Sequence, residues 1–449
     1  MELIILIIYG ATMLVIGVYS AFRIKSPGDY FIGGKRNGVL QITGSLLATI
    51  LGGSAILGTI NLTEKQSWAA AWYILSAAFG LLVLLPVVKK VSRLGKFTLP
   101  GLIGRFYGEQ ARKTASVIIP LAWLGIVAAQ IIAAAQILAS FFSIDYTVGV
   151  LLSGTVFIVY TLIGGQISIL KTDFIQSIII LAGITVTFFI LNKSPELNPE
   201  PVQTSFPFNP RFSPVDLLIL GLTYSSTFVV GPDIYSRVFC ARDERTSIIS
   251  VLITALILIP FAFLLAYIGV CSFGTASHPE GTSALVNIIV AYLPPWAVGL
   301  MVAALLSAVL SSADTTLLTA SMILSELLHK DIDNRRSFIQ TKYFIVSIGI
   351  VSMLFALKTS SIIASLLLAL SFYSGAFIVP MVAALFNLPF SKKYSLWAIA
   401  LGGIIALSGK ISMEFFDFRY GNWIIIAGFI TNAAILFLPR NKEKNYNLI

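Results

Sequence analysis

The sequence predicts an all-α polytopic membrane protein, because the chain is strongly apolar, its apolar runs are long, and its basic residues are unevenly distributed. Hydrophobic residues make up 57% of the 449 residues and charged residues only 11%, whereas about a quarter of a soluble chain is charged. Runs of about 18 or more apolar residues recur along the whole length, and each can cross a hydrocarbon core of about 30 Å as a helix.

Thirteen spans fit this pattern. They form a single transmembrane domain over residues 1–449, since no linker-like or low-complexity segment divides them. At a helical rise of about 1.5 Å per residue each span is long enough to cover the core, although the twelfth is marginal. The spans are predicted at residues 2–22, 38–61, 66–88, 114–141, 146–166, 171–191, 213–233, 246–273, 295–327, 340–357, 360–388, 394–409 and 421–439.

The basic residues predict the orientation of these spans. If the N-terminus is outside and the C-terminus cytoplasmic, nearly all of the 30 lysines and arginines lie in cytoplasmic connections, as the positive-inside rule requires. The net charge of +10 then reflects this orientation and contact with an anionic inner leaflet, so we expect no nucleic-acid partner. We predict a multi-pass protein of the plasma (inner) membrane, with the first span retained. The basic residues left outside are Lys65, Lys193, Arg211, Lys358, Lys410 and Arg419.

The chemistry-bearing residues argue against an enzyme. Cys240 and Cys271 fall on opposite sides of the membrane, so neither a disulfide nor a Cys/His metal cluster is expected. The chain has only two histidines, no H-E-x-x-H motif and no Gly-rich phosphate loop. We therefore expect a transporter or a channel, with the lipid bilayer as its surroundings.

Two spans contain helix-breaking residues near the middle of the membrane, namely Gly52-Gly53 in the second span and Gly231-Pro232 in the seventh. Broken helices free backbone carbonyls to bind cations or polar solutes, and they mark the sites of secondary transporters. Close helix packing is the alternative explanation for such glycines. Because the broken spans are five apart, we predict two inverted five-helix halves, residues 38–191 and 213–388. An extra N-terminal helix (1–37) and two C-terminal helices with a short cytoplasmic tail (394–449) complete the chain.

Four motifs resemble those of the sodium:solute symporter family: "GDYFIGGKRNG", "YTLIGGQISILKTDFIQ", "GPDIYSRVFCARDERT" and "SSADTTLLTAS". Within it, "ATILGGSAILGT" and "SAVLSSADTTLLTAS" look most like the high-affinity choline transporter branch. The resemblance implies the leucine-transporter-type fold with a 5+5 inverted repeat. It also implies sodium-coupled import of one small organic solute by alternating access, for which we expect a monomer to be sufficient.

The same resemblance implies the cation sites. The principal Na⁺ site maps onto Ala48 and Leu51 in the second span and onto Ala308, Ser311 and Ser312 in the ninth. Carbonyl and hydroxyl oxygens suit a hard cation such as Na⁺. A second cation, present in some members of the family, maps onto Asp173, Asp314 and Thr315, with Ser311 shared between the two sites.

Fewer of the family's substrate-binding residues are matched in this chain. The positions that match the tryptophan cage of the choline branch hold Ile50, Ala128 and Gly231, so the cage is absent. The pocket is predicted from position alone, and helix packing is the alternative role for each residue. Its predicted residues are Thr49, Gly52, Gly53, Ser54, Trp72, Gln130, Tyr224, Thr227 and Phe228.

Asp314 is the residue whose position within a membrane span most needs an explanation. A carboxylate in the middle of the membrane is costly, and no predicted span has a basic residue at a similar depth. Either a bound cation or protonation could neutralise it. Proton coupling through Asp173 or Asp314 therefore stays open at this point, as does a sodium leak or a sensor without concentrative uptake.

Overall fold

The computed structural model describes residues 2–22, 24, 26–94, 98–197, 199–274, 284–328, 334–359 and 361–438. Within these ranges the chain is helical, and the only β-type pairs are two isolated bridges, Asn37 with Ala241 and Asn209 with Phe212. The predicted all-α class is confirmed. Residues 439–449 of the predicted C-terminal segment lie outside the described residues.

Eighteen α-helices follow one another along the described chain. They are α1 (Glu2–Ala21), α2 (Pro27–Ile32), α3 (Val39–Ile50), α4 (Gly53–Gln66), α5 (Trp72–Leu94), α6 (Leu99–Tyr107), α7 (Glu109–Phe142), α8 (Tyr146–Asn192), α9 (Pro214–Leu220), α10 (Ser226–Val229), α11 (Pro232–Cys240), α12 (Glu244–Gly274), α13 (Ala284–Tyr292), α14 (Pro295–Leu328), α15 (Arg335–Ala356), α16 (Ile362–Leu385), α17 (Ser395–Phe416) and α18 (Gly421–Leu436).

Nine helical stretches in the described residues are long and apolar enough to cross a membrane, and three shorter apolar helices accompany them. The total of thirteen spans stays a prediction. One difference concerns predicted spans five and six, which form the single element α8. The chain turns inside α8 at Gly165, whose φ of 55° and ψ of −171° only glycine adopts readily. Residues 167–170, which separate the two predicted spans, follow this turn and are helical.

The predicted break in the second span is present. Helix α3 ends at Ile50 and α4 begins at Gly53, while Gly52 between them is extended, with φ −67° and ψ 168°. The carbonyls of the last turn of α3 consequently lack the helical amide partners that a continuous helix would supply.

The predicted break in the seventh span is present as well. A π-helical turn, Gly221–Ser225, leads into the short α10, and Gly231 separates α10 from α11, with Pro232 as the first residue of α11. We predicted that this span ends at 233, but α11 continues to Cys240. The extension carries Arg237 into the protein interior, where its exposed fraction is 0%.

Helix α14 lies at the centre of the molecule. In its most apolar window 78% of the residues are buried, the largest share among the nine long apolar stretches. It contacts α1, α3, α4, α7, α8 and α15. Small residues permit this density: a Cβ on Gly183 of α8 would lie 2.6 Å from the Cβ of Ala304. The hydroxyl-rich face of α14 therefore points at other helices rather than at lipid.

Candidate functional site

The break between α3 and α4 faces α14, and hydroxyls of α14 contact carbonyls released at the break. Ser311 Oγ lies 2.8 Å from the Ala48 carbonyl oxygen and 3.1 Å from that of Ala308, within donating distance of each. Ser312 Oγ donates to the Thr49 carbonyl at 3.0 Å. The structure thus brings together four of the five residues predicted for the principal Na⁺ site.

The fifth residue, Leu51, is at the break itself. It caps α3 and its amide donates to the Leu47 carbonyl at 2.8 Å. Its neighbour Gly52 packs directly against Ser312: a Cβ on Gly52 would overlap Ser312 Oγ and lie 2.9 Å from Ser312 Cβ. Gly53 packs against Val309 in the same way: a Cβ on Gly53 would overlap Val309 Cγ2 and lie 3.2 Å from Val309 Cβ. The two glycines therefore permit close helix packing as well as the break.

These oxygens form a dry, uncharged cluster. Ala48, Ala308 and Ser311 have no exposed surface, and Ser312 is 3% exposed. Carbonyl and hydroxyl oxygens in such a position can replace the hydration shell of a hard monovalent cation. The residues present therefore fit Na⁺ at the principal site.

The predicted second cation site already contains a positive charge. Arg237 Nη2 lies 3.1 Å from Asp173 Oδ2 and also donates to Thr315 Oγ1. Its Nε donates to Ser45 Oγ at 3.0 Å, and Nη1 donates to Ser236 Oγ at 2.9 Å. Ser45 in turn donates to Asp173 Oδ2. The expectation that no basic residue reaches the depth of these carboxylates is wrong, because α11 extends inward and its guanidinium is neutralised by Asp173.

Asp314 does not share this contact. Both of its carboxylate oxygens are buried and have no hydrogen-bond partner among the described residues. The carboxylate lies within electrostatic range of Asp173 and Arg237. On α14 it is about one turn beyond Ser311. Asp314 thus places a buried carboxyl group, without a hydrogen-bond partner among the described residues, about one turn from Ser311.

Sequence reasoning missed Asp233. It lies on α11 just after the second break, and the indole of Trp123 on α7 donates to its Oδ2 at 2.9 Å. The other oxygen, Oδ1, has no partner among the described residues. Trp123 also meets Tyr373 edge to face at 4.9 Å, and Tyr373 donates to the Val230 carbonyl at the break. The sequence feature that could have identified Asp233 is its position, since it is an acidic residue directly after the Gly231-Pro232 pair.

Ser54 and Gln130, both predicted for the solute pocket, lie together. Gln130 Nε2 donates to Ser54 Oγ at 2.6 Å, and the Ser54 amide lies 3.3 Å from Gln130 Oε1. This pair joins α7 to the start of α4, just beyond Gly53. The hydroxyl of Thr49 on the other side of the break is buried and lacks a partner among the described residues.

The predicted residues of the seventh span form a second group. Tyr224 stacks on Tyr73 with ring centroids 4.2 Å apart and meets Phe228 edge to face at 5.0 Å. Thr227 donates its hydroxyl to the Tyr224 carbonyl at 2.6 Å. Trp72 is not part of either group, because its indole donates to the Pro207 carbonyl at 2.9 Å and its ring stacks on Phe206.

A small pocket adjoins the second break. Its volume is about 10 Å³, and it lies between the start of α6, the start of α11 and α14. Its lining residues are Thr98, Leu99, Pro232, Ser236, Thr319, Met322 and Ile323. Asp233 follows Pro232 directly, so an acidic group lies beside this pocket.

Known solved structures resemble this fold over nearly its whole length. A Na⁺-coupled sialic acid symporter in its substrate-bound, outward-open state superposes with a TM-score of 0.80 and 19% identity, covering 97% of this chain and 96% of that one. A nucleobase-cation-symport-1 family transporter in a closed conformation gives a TM-score of 0.62 at 13% identity, over 90% and 92% of the two chains. The predicted leucine-transporter-type fold is confirmed.

Sequence relatives point in the same direction. The sodium/proline symporter of Haemophilus influenzae is 27% identical, over 73% of this chain and 71% of its own. The sodium/pantothenate symporter of Escherichia coli is 24% identical, over 92% of each chain. The sequence model of the sodium:solute symporter family matches residues 30–402 of this chain. The broken helices, the oxygen cluster between them and this match over most of the sequence agree, and the chain belongs to the sodium:solute symporter family.

Proposed function

We propose that the protein imports one small organic solute together with sodium, and that Na⁺ binds where the break of α3 and α4 meets α14. The observation that carries the proposal is the contact of Ser311 and Ser312 with the carbonyls of Ala48 and Thr49. These two hydroxyls and the adjacent carbonyls are the oxygens that a sodium ion would use.

Sodium at this point would couple the two elements by a population shift. It favours the arrangement in which α14 and the broken helix are close, and its loss to the cytoplasm releases both. An ion shifts the equilibrium only through its different affinity for the two arrangements. The membrane potential adds to the driving force, about 2.3 kcal/mol per charge at 100 mV.

The solute is proposed to bind near the two breaks. The polar pair Ser54 and Gln130 adjoins the first break, and Tyr224, Thr227 and Phe228 precede the second. Relatives named as sodium/proline and sodium/pantothenate symporters support a small organic solute. Thr49, Gly52 and Gly53 contribute the surface of the first break, whereas Trp72 would line the pocket only if the loop carrying Pro207 moved.

The test is sodium-dependent uptake into proteoliposomes. The panel holds proline, pantothenate, sialic acid, choline, betaines, other amino acids and monocarboxylates, each tested under a sodium gradient, a pH gradient and neither. We expect one solute to accumulate only with the sodium gradient. Accumulation driven by the pH gradient without sodium would contradict the proposal, and so would sodium flux with no solute uptake.

Ser312→Ala tests the site within the same assay. It removes one hydroxyl ligand, so more sodium should be needed for half-maximal uptake while the protein stays folded. Ser408→Ala on the exposed part of α17 is the control, because its hydroxyl only bonds the Ile405 carbonyl of its own helix. Unchanged sodium activation in Ser312→Ala would refute the assignment of the Ser312 hydroxyl as a sodium ligand.

Topology, oligomeric state and domain arrangement belong to the same proposal. We propose an external N-terminus and a cytoplasmic C-terminus, two inverted halves at 38–191 and 213–388, and transport by the monomer without a nucleic-acid partner. Both native cysteines are buried, so introduced cysteines can report sidedness. A cysteine at Lys193 should react with an impermeant maleimide from outside, and one at Arg242 only from inside. Vesicles holding single copies should transport as well as crowded ones.

A further inference from the structure

The guanidinium of Arg237 is bound on several sides by oxygen atoms of other elements. These atoms come from Ser45 on α3, Asp173 on α8 and Thr315 on α14. All four residues have no exposed surface. Two of the partners, Asp173 and Thr315, belong to the set predicted to bind a second cation.

This arrangement leaves no room for a sodium ion at those oxygens. Asp173 Oδ2 is shared between Nη2 of Arg237 and the hydroxyl of Ser45, and Thr315 Oγ1 is bound by the same Nη2. A sodium ion there would have to displace the guanidinium, or lie against a like charge in a dry interior. The other oxygen of Asp173, Oδ1, is buried without a hydrogen-bond partner among the described residues, but a sodium ion there would lie beside the like charge of Arg237. Arg237 therefore already supplies the positive charge that a second sodium ion would bring to Asp173.

The charges are consistent with one sodium at the principal site. Arg237 neutralises Asp173, with which it forms a buried ion pair at 3.1 Å. Asp314 has no hydrogen-bonded partner among the described residues, and it lies about one turn from Ser311. A single sodium bound by neutral oxygens at the principal site would offset the charge of Asp314. Asp233, four residues before Arg237, accepts a hydrogen bond from the Trp123 indole and also lies within electrostatic range of Arg237.

We infer that Arg237 is a built-in cation that takes the place of a second sodium ion, so that the protein binds and couples one Na⁺ per cycle. The inference rests on the proposed function, since it presupposes sodium at the principal site. It deepens that function by fixing the coupling ratio through a residue of the chain itself.

The experiment counts sodium ions bound to the purified protein with radioactive ²²Na⁺ in a scintillation-proximity assay, which needs no identified solute. The wild-type protein should bind about one ion with a Hill coefficient of about one, since the coefficient cannot exceed the number of sites. Two ions per wild-type protein would overturn the inference and leave the proposed function intact. No sodium binding at all would remove the proposed function, and this inference with it.

Arg237→Ala asks whether the guanidinium is what excludes the second ion. The variant frees Asp173 and Thr315 from the guanidinium and leaves Asp314 within electrostatic range of Asp173, so binding should rise to about two ions with a Hill coefficient above one. In Arg237→Ala/Asp173→Asn both partners of the ion pair lose their charge, and binding should return to about one ion. One bound ion in folded Arg237→Ala would overturn the inference.

The matched control is Arg242→Ala. Arg242 follows α11 on the same segment, but it is exposed and pairs with Asp243 at 3.3 Å. Its loss should leave the count at one. If Arg237→Ala does not fold, Arg237→Gln takes its place, because glutamine keeps a hydrogen-bond donor but no charge. One bound ion in folded Arg237→Gln would likewise overturn the inference.

Discussion

Replacing Gly52 by alanine should abolish tight sodium binding while leaving the helices in place. The new Cβ would overlap Ser312 Oγ, and it would lie 2.9 Å from Ser312 Cβ. Ordinary van der Waals contact begins at 3.4 Å. The serine hydroxyl must therefore rotate away from the Thr49 carbonyl, and the backbones must still separate by some tenths of an ångström.

The size of the effect follows from the lost ligand. A hydrogen bond or ligand contact to a charged group contributes about 1.5–3 kcal/mol. Each 1.4 kcal/mol changes a binding constant about tenfold, so the sodium dissociation constant should rise roughly 10- to 150-fold. Separation of α14 from the break adds to this loss, because Ser311 also depends on the close approach.

The assay is ²²Na⁺ binding to purified protein across a range of sodium concentrations, with thermal unfolding measured in parallel. Gly58→Ala is the matched control, since it lies on the same broken span and its Cβ would make only ordinary contacts, 3.7 Å from Ile363 and 3.9 Å from Tyr73. The control should bind sodium like the wild type. A Gly52→Ala protein with wild-type sodium affinity would refute the placement of the ion between the break and α14.

Two further variants test other parts of the structure. Asp314→Asn should weaken sodium binding at least tenfold, because a unit charge within about 10 Å contributes about 1.7 kcal/mol or more at an effective dielectric constant near 20. Isotope binding measures this against the exposed control Asp243→Asn, and equal affinities would show that Asp314 does not act on the ion. Gly165→Ala should lower the thermal midpoint, since φ is 55° there and the Cβ would lie 2.7 Å from Tyr30 Cε2. The strain alone costs about 1–3 kcal/mol, whereas Gly10→Ala, with nothing within 4 Å, should melt like the wild type.

Local patterns were sufficient to predict the broken helices and the hydroxyl-rich face of α14. Gly52-Gly53 and Gly231-Pro232 interrupt apolar runs, and such breaks depend on backbone freedom and missing donors that a residue carries by itself. The serines of α14 recur at helical spacing, which places Ser311 on a face whatever lies opposite. The structure then puts the first break against that face.

The expectation that no basic residue lies at the depth of the buried carboxylates was wrong because of Arg237. Hydropathy assigns an arginine to a cytoplasmic connection because burying an unpaired charge is prohibitive. The structure buries it because Asp173, 64 residues away, and Ser45, 192 residues away, supply its partners. Neither partner can be recognised from the sequence around Arg237.

The sequence by itself thus determined the membrane class, the two breaks and the oxygen-rich face of α14, since each depends on the chemistry of neighbouring residues. Only the tertiary structure decided which charges meet. It joined Arg237 to Asp173, left Asp314 without a hydrogen-bond partner among the described residues, and placed Trp123 on Asp233 and Trp72 on the loop that carries Pro207. A charge in the membrane is stable or costly according to what lies within a few ångströms, and helix packing alone sets those distances.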